Sequence, residues 1–320
     1  MTDRTEQPSD SSTTPMRPAW IERMGISHAV MAIIWILTAL FLFQVTASMV
    51  ALTLLMASGD VSGAPEELMG MLMERLDLLF IGNTTGQILF LGLATFWVVR
   101  LHLPKQKRIE GGARRSYLRL RLPSEPWVWT GWAALLFVVV QPLVWMLGYL
   151  NGLVPAPESL VEMQNSQAEM IEQFLRSEGV LWIGLLHIAL IPSICEEILF
   201  RGYVQGSLER SWGVLPAILV SGLLFGLFHL QLTNLFPLAG LGILLAILTW
   251  KSGSLLPAMA AHLVNNGGAV LLAVIAPDLA FAEMAADQPP PVGIFVMSLL
   301  LTGFILYYLL IHREAHDGTL

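Results

Sequence analysis

Residues 28–56 read HAVMAIIWILTALFLFQVTASMVALTLLM, without one Asp, Glu, Lys or Arg. A helix rises about 1.5 Å per residue, so about 20 apolar residues suffice to cross a hydrocarbon core. Comparable apolar runs follow at 78–99, 127–150, 180–200, 214–231, 235–250, 254–276 and 292–311. Strands and soluble core helices are shorter and interrupted. In lipid every backbone polar group must be satisfied within its own segment, so runs of this length are helices. The sequence therefore predicts an all-α fold, a polytopic transmembrane helix bundle of about eight spans. The composition, 55% hydrophobic and 13% charged, excludes an ordinary soluble domain.

The placement of the charges says more than the net charge of −7. Residues 1–20 hold no apolar core and read as a disordered cytoplasmic tail rather than a signal peptide; residues 21–320 read as one membrane domain. With that tail inside, Arg4, Arg17, Arg23, Arg100, Lys105, Lys107, Arg108, Arg114, Arg115, Arg119, Arg121, Arg201, Arg210, Lys251 and Arg313 fall on the inner side. Only Arg75 and Arg176 fall outside, a division of 15 to 2 that follows the positive-inside rule and checks the span count. It puts both termini in the cytoplasm. The acidic residues Asp60, Glu66, Glu67, Glu158, Glu162, Glu169, Glu172, Asp278 and Asp287 lie in the outer segments. The basic block 100–121 reads as a topology signal or anionic-lipid contact, with no nucleic-acid partner. The single cysteine, Cys195, excludes an intramolecular disulfide, and without a positive neighbour it is expected to be inert.

Ionisable groups inside spans are costly and mark function. They concentrate in His187, Glu196, Glu197, Arg201, His229 and His262, with Asn265 and Asn266 nearby. The amides Gln44, Asn83, Gln87 and Gln141 read as helix-to-helix hydrogen bonds, and His187 as a packing residue. Glu197 and Arg201 are four apart and share a helix face, as an ion pair requires, whereas Glu196 points about 100° away. Glu196, His229, His262 and Asn266 stand unpaired on three spans and need one another. Pro192 is expected to kink the fourth span one turn before Glu196. One conflict remains in this reading. By residue count Glu196 lies near the inner end of span four and His229 nearer the outer end of span five. Tilt, or a fourth helix continuing past Arg201 towards Glu209, would reconcile them.

The series Glu196-Glu197-x-x-x-Arg201, Phe225-x-x-x-His229 and His262-x-x-x-Asn266 resembles the three motifs of the CPBP (Abi, or CAAX-protease-like) intramembrane endopeptidases, over residues 180–276. The resemblance implies a helical bundle, integral to a bacterial inner membrane, that hydrolyses a peptide bond of a membrane-associated protein or peptide. It implies that Glu196 activates water, assisted by His229, that His262 and Asn266 stabilise the oxyanion, and that Glu197 with Arg201 braces the helix. A carboxylate in a low-dielectric cavity suits a general base, and preformed oxyanion donors can lower the barrier by about 3–4 kcal/mol.

Glu196, His229 and His262 would also serve as a zinc set, but no His-Glu-x-x-His helix occurs, and Asn266 is a poor zinc ligand. His312-x-Glu314-x-His316 sits at the membrane edge. The metal-free scheme uses all four residues and is the one expected. Two other readings use the same residues: a non-catalytic bacteriocin-immunity or scaffold protein of the family, and a transporter with an ion or proton path. The transporter reading lacks the inverted repeats such proteins show.

Overall fold

The computed structural model describes residues 18–59, 65–108, 111–177, 179–278, 280 and 288–311. Most of the expected tail (1–17) and His312, Glu314 and His316 lie outside these residues. The fold is all-α, 85% helical, with no strands among the described residues. Long helices are α1 (His28–Ala57), α2 (Leu76–His102), α3 (Pro126–Val139), α4 (Gln141–Gly152), α5 (Glu158–Leu175), α6 (Leu181–Trp212), α7 (Val214–Phe228), α8 (Leu235–Ser252), α9 (Leu256–Ile275) and α10 (Val292–Ile311).

The span count differs from the sequence reading in one place. Six helices are long and apolar enough to span, and α3 with α4, bent by 46° at Val140, supply a seventh. The eighth run forms α7, an apolar helix of only 15 residues. It begins at Gly213, whose φ of 84° reverses the chain, and ends where the His229 ring turns back onto the Phe225 carbonyl. A helix this short can stay inside the bundle because its neighbours cover it. Gly222 and Gly242 bring α7 and α8 into backbone contact: a Cβ on Gly242 would stand 2.9 Å from the Gly222 carbonyl oxygen.

The central helix is α6. Half of its most apolar stretch is buried, against a third or less in the other spanning helices. Phe200, Tyr203 and Val204 form its core face with Ala32, Trp35 and Ile36 of α1, Leu91 and Val99 of α2, and Phe225 and Phe228 of α7. Two wide π-turns, Leu185–Leu190 and Ile198–Gln205, interrupt α6 on either side of the two glutamates. Such turns are common at functional sites. Pro192 does not break the helix. It lacks the N–H that the Ile188 carbonyl would accept, and Asn266 Nδ2 donates to that carbonyl instead, at 2.9 Å.

Polar contacts lock one end of the bundle, here called the basic face. His102 reaches His28 at 2.8 Å and the Tyr203 hydroxyl at 2.8 Å. The Tyr117 hydroxyl meets His102 and Ser207, each at 3.0 Å. Burial pushes that hydroxyl above its ordinary pKa range, so it stays protonated and able to donate. Arg119 pairs with Glu209, and Arg121 Nε donates to the Gly253 carbonyl at 2.8 Å. Arg201, counted among the inner-side cations from sequence, is instead 0% exposed inside α6.

α1 and α2 approach through small residues, as helices in lipid commonly do. A Cβ on Gly82 would lie 2.3 Å from the Ala47 carbonyl oxygen, which is fixed backbone. Gly82→Leu is therefore expected to force the two helices apart and lose at least about 1–3 kcal/mol, the usual cost of overpacking. A lowered melting temperature in detergent checks this. Gly131→Ala, where nothing lies within 4 Å of the added carbon, should melt like the parent chain.

Candidate active site

Glu196 and Glu197 follow one another on α6, so their side chains leave the helix in different directions. Glu197 and Arg201 are both 0% exposed. Glu197 Oε1 accepts from Arg201 Nη1 at 3.0 Å and from His262 Nδ1 at 2.9 Å. Arg201 Nη2 also donates to the Gly242 carbonyl at 3.1 Å, and its guanidinium lies 4.3 Å over the Phe225 ring. Glu197 thus joins α6 to α9, and Arg201 joins α6 to α8.

Glu196 has different company. It is 7% exposed, and its buried Oε2 makes no hydrogen bond among the described residues. That oxygen lies 3.9 Å from His229 Nε2. His229 Nδ1 is 2.8 Å from the Phe225 carbonyl, which can only accept, so Nδ1 carries the proton. Nε2 is the ring atom turned to the Glu196 carboxylate. The conflict in depth disappears because α6 runs on to Trp212. Glu196 and His229 then stand 17 and 16 residues from the reversal at Gly213, one on each arm.

The second half of the site is a chain of donors with one direction. The Glu197 carboxylate accepts, so His262 Nδ1 donates and its Nε2 is an acceptor. Asn266 Nδ2 lies 3.3 Å from that Nε2 and donates to the Ile188 carbonyl as well. The Asn266 oxygen accepts from Asn265 Nδ2 at 3.0 Å, and the Asn265 oxygen accepts from Gln141 Nε2 at 3.1 Å. Two obligate acceptors, the Glu197 carboxylate and the Ile188 carbonyl, thereby set the orientation of two asparagines and one histidine. The motif pattern singles out Asn266 and gives Asn265 no role. The position of Asn265 beside Asn266 is a signal; its bond to Gln141, at the bend between α3 and α4, is not visible in sequence.

A cavity of about 40 Å³ lies between these groups, walled by His229, His262, Asn265 and Asn266 together with Phe137, Phe225 and leucines of α8. That is room for about three or four waters, at roughly 10–15 Å³ each. Glu196 is not on this wall; it faces His229, which is. Residues 178–268 match a family model described as type II CAAX prenyl endopeptidase Rce1-like. This segment resembles that family. It contains all three motifs, from the start of α6 to Asn266, and covers under a third of the chain. At the level of the family, the match carries the intramembrane-protease reading. No curated protein and no solved structure matches the chain.

Other candidates fall into place around this site. His187 bonds the Thr84 hydroxyl at 2.6 Å and stacks on Phe80, as a packing residue would. Cys195 is buried, its sulfur 3.4 Å from where a Cβ on Gly92 would stand. Of the four membrane amides, Gln141 alone makes a side-chain bond to another helix among the described residues; the buried Gln87 oxygen has no partner. The zinc set named from sequence, Glu196, His229 and His262, does not converge: His262 turns Nδ1 to Glu197 and Nε2 to Asn266. Among the described residues, no three His, Cys, Asp or Glu side chains gather as a metal site requires.

Proposed function

We propose that this chain is an intramembrane endopeptidase of the CAAX-protease-like kind, hydrolysing a peptide bond of a membrane-anchored protein or peptide with a glutamate-activated water. One observation carries the proposal. Glu196 Oε2 makes no hydrogen bond among the described residues and faces His229 Nε2 at 3.9 Å; with the ring in its neutral form both atoms are acceptors. Two acceptors at that separation are reconciled by a donor between them, and water donates one hydrogen to each. A water held so has both protons drawn away from its oxygen.

In this scheme Glu196 takes one water proton as the water oxygen bonds to the peptide carbonyl carbon. The carbonyl oxygen becomes an oxyanion. Asn266 Nδ2 can turn its long 3.3 Å contact towards that oxygen. His262 can donate from Nε2 when doubly protonated, its added charge balanced by Glu197 through Nδ1. When the C–N bond breaks, Glu196 returns its proton to the leaving amine, and the products are a carboxylic acid and an amine, which then ionise to a carboxylate and an ammonium. No step requires a metal. The basic face is the cytoplasmic one in this reading, following the positive-inside rule.

The test is cleavage of membrane-anchored peptides by purified protein, among them the prenylated CAAX peptides that the family's description names. Cleavage should persist in EDTA or phenanthroline, and the protein should carry well under one equivalent of zinc. Chelator-sensitive cleavage, together with stoichiometric zinc that His229→Ala loses, would sink the metal-free scheme.

A further inference from the structure

Residues 103–125 join the end of α2 to the start of α3, so this segment stays at the membrane surface. Arg100, Lys105, Lys107 and Arg115 are exposed, and Arg114 is half-buried beside them. None of the five makes an ion pair among the described residues, whereas Arg119 of the same segment pairs with Glu209. Five cations without a carboxylate partner among the described residues stand together on a chain whose net charge is −7. Bringing like charges together costs free energy unless something anionic covers them.

Exposed apolar side chains accompany these cations. The Arg100 and Arg114 guanidiniums each lie 5.0 Å from the Trp97 ring centre, and Arg114 lies 4.8 Å from that of Phe96. Trp97 is nevertheless 54% exposed, and Trp127, at the start of α3, is 87% exposed. Tryptophan beside cations at the ends of spans is the pattern of the headgroup layer, where the ring meets the acyl boundary and the cations meet phosphate. The buried Nε of Arg114 has no hydrogen-bond partner among the described residues. The surface is also held in place. Leu118 packs where Gly202 of α6 lacks a side chain, and Arg119 and Arg121 tie the segment to Glu209 and Gly253.

We propose that Trp97, Arg100, Lys105, Lys107, Arg114 and Arg115 form a binding surface for the headgroups of anionic phospholipids. The phosphate meets the guanidinium and ammonium groups, and the acyl chains run along the exposed ring of Trp97. The proposal is independent of the peptidase reading.

The experiment titrates the purified full chain in neutral detergent with phosphatidylglycerol or phosphatidylcholine, reading lipid retained by native mass spectrometry and the melting temperature. Phosphatidylglycerol should be retained and should raise the melting temperature. Phosphatidylcholine and inorganic phosphate should do neither, and 0.5 M salt should weaken the effect. The triple variant Lys105→Gln/Lys107→Gln/Arg115→Gln removes exposed charges and should fold as the parent does. Its retention of phosphatidylglycerol should fall roughly 100-fold, at about fivefold per cation. Arg100→Gln/Arg114→Gln should lose the preference as well, and Arg176→Gln at the opposite end should keep it. Equal retention of the two lipids, or unchanged preference in the triple variant, overturns the proposal.

Discussion

Glu196→Gln is expected to fold and accumulate like the parent chain yet hydrolyse peptide about 100- to 10,000-fold more slowly, the usual contribution of a general base. The fold should tolerate the change because Glu196 Oε2 bonds to nothing among the described residues. A carboxamide has the same shape and removes the basicity. It also places a donor where an acceptor stood, so the amide can bond His229 Nε2 directly and displace the water between them. Initial rates on one cleaved peptide, with melting temperature as the control for folding, decide the matter. Full turnover in Glu196→Gln would remove the residue from the chemistry and leave the scaffold reading in its place.

The largest loss of stability is expected one residue later. Glu197→Gln and Arg201→Met should each cost about 3–5 kcal/mol, because each leaves the other member of a fully buried ion pair without its partner. Arg201→Met also takes the side-chain donor from the Gly242 carbonyl, and Glu197→Gln takes the carboxylate from His262 Nδ1. The double variant Glu197→Leu/Arg201→Leu should be destabilised by clearly less than the sum of the single changes, since no lone charge stays buried. Denaturant unfolding in mixed micelles measures all three. Glu197→Gln carries a second signature: its surviving folded fraction should turn over slowly, since His262 has lost the charge that would balance its second proton. Arg201→Met keeps that carboxylate, so its folded fraction should be the more active of the two. Additive losses would mean that Glu197 and Arg201 act independently, and the pairing would have no energetic content.

Much of this architecture is legible in the sequence. The apolar runs are helices, the Glu197–Arg201 spacing is a contact, and the three motifs fall within the matched segment. What stays hidden has a common cause. Hydropathy prices a side chain as though lipid surrounded it, and it cannot see a partner supplied by another helix. An apolar run that stops at residue 200 therefore underestimates α6, because Arg201, Gln205, Ser207 and Glu209 look too polar to continue a span. In the fold Arg201 and Gln205 donate to carbonyls of α8, Ser207 meets Tyr117, and Glu209 meets Arg119. α7 looks like a full span because the length of an apolar run does not reveal that its helix stops at Phe228. The second bond of Glu197, to His262, joins residues 65 apart and leaves no trace in local spacing.

The wide turn at Ile198–Gln205 gives α6 the properties of a vernier. A π-turn holds one residue more than the α-turn it replaces, and one residue corresponds to about 100° of rotation. Deleting a single residue there would let the helix relax to ordinary winding and would leave its hydropathy almost untouched. Everything beyond the deletion would swing relative to Glu196. Glu209 would leave Arg119, Ser207 would leave Tyr117, and the latch on the basic face would come undone. The two ends of α6 are thus kept in phase by the count of residues between them as much as by their chemistry. Tolerance to single-residue deletion should be close to nil between Ile198 and Gln205.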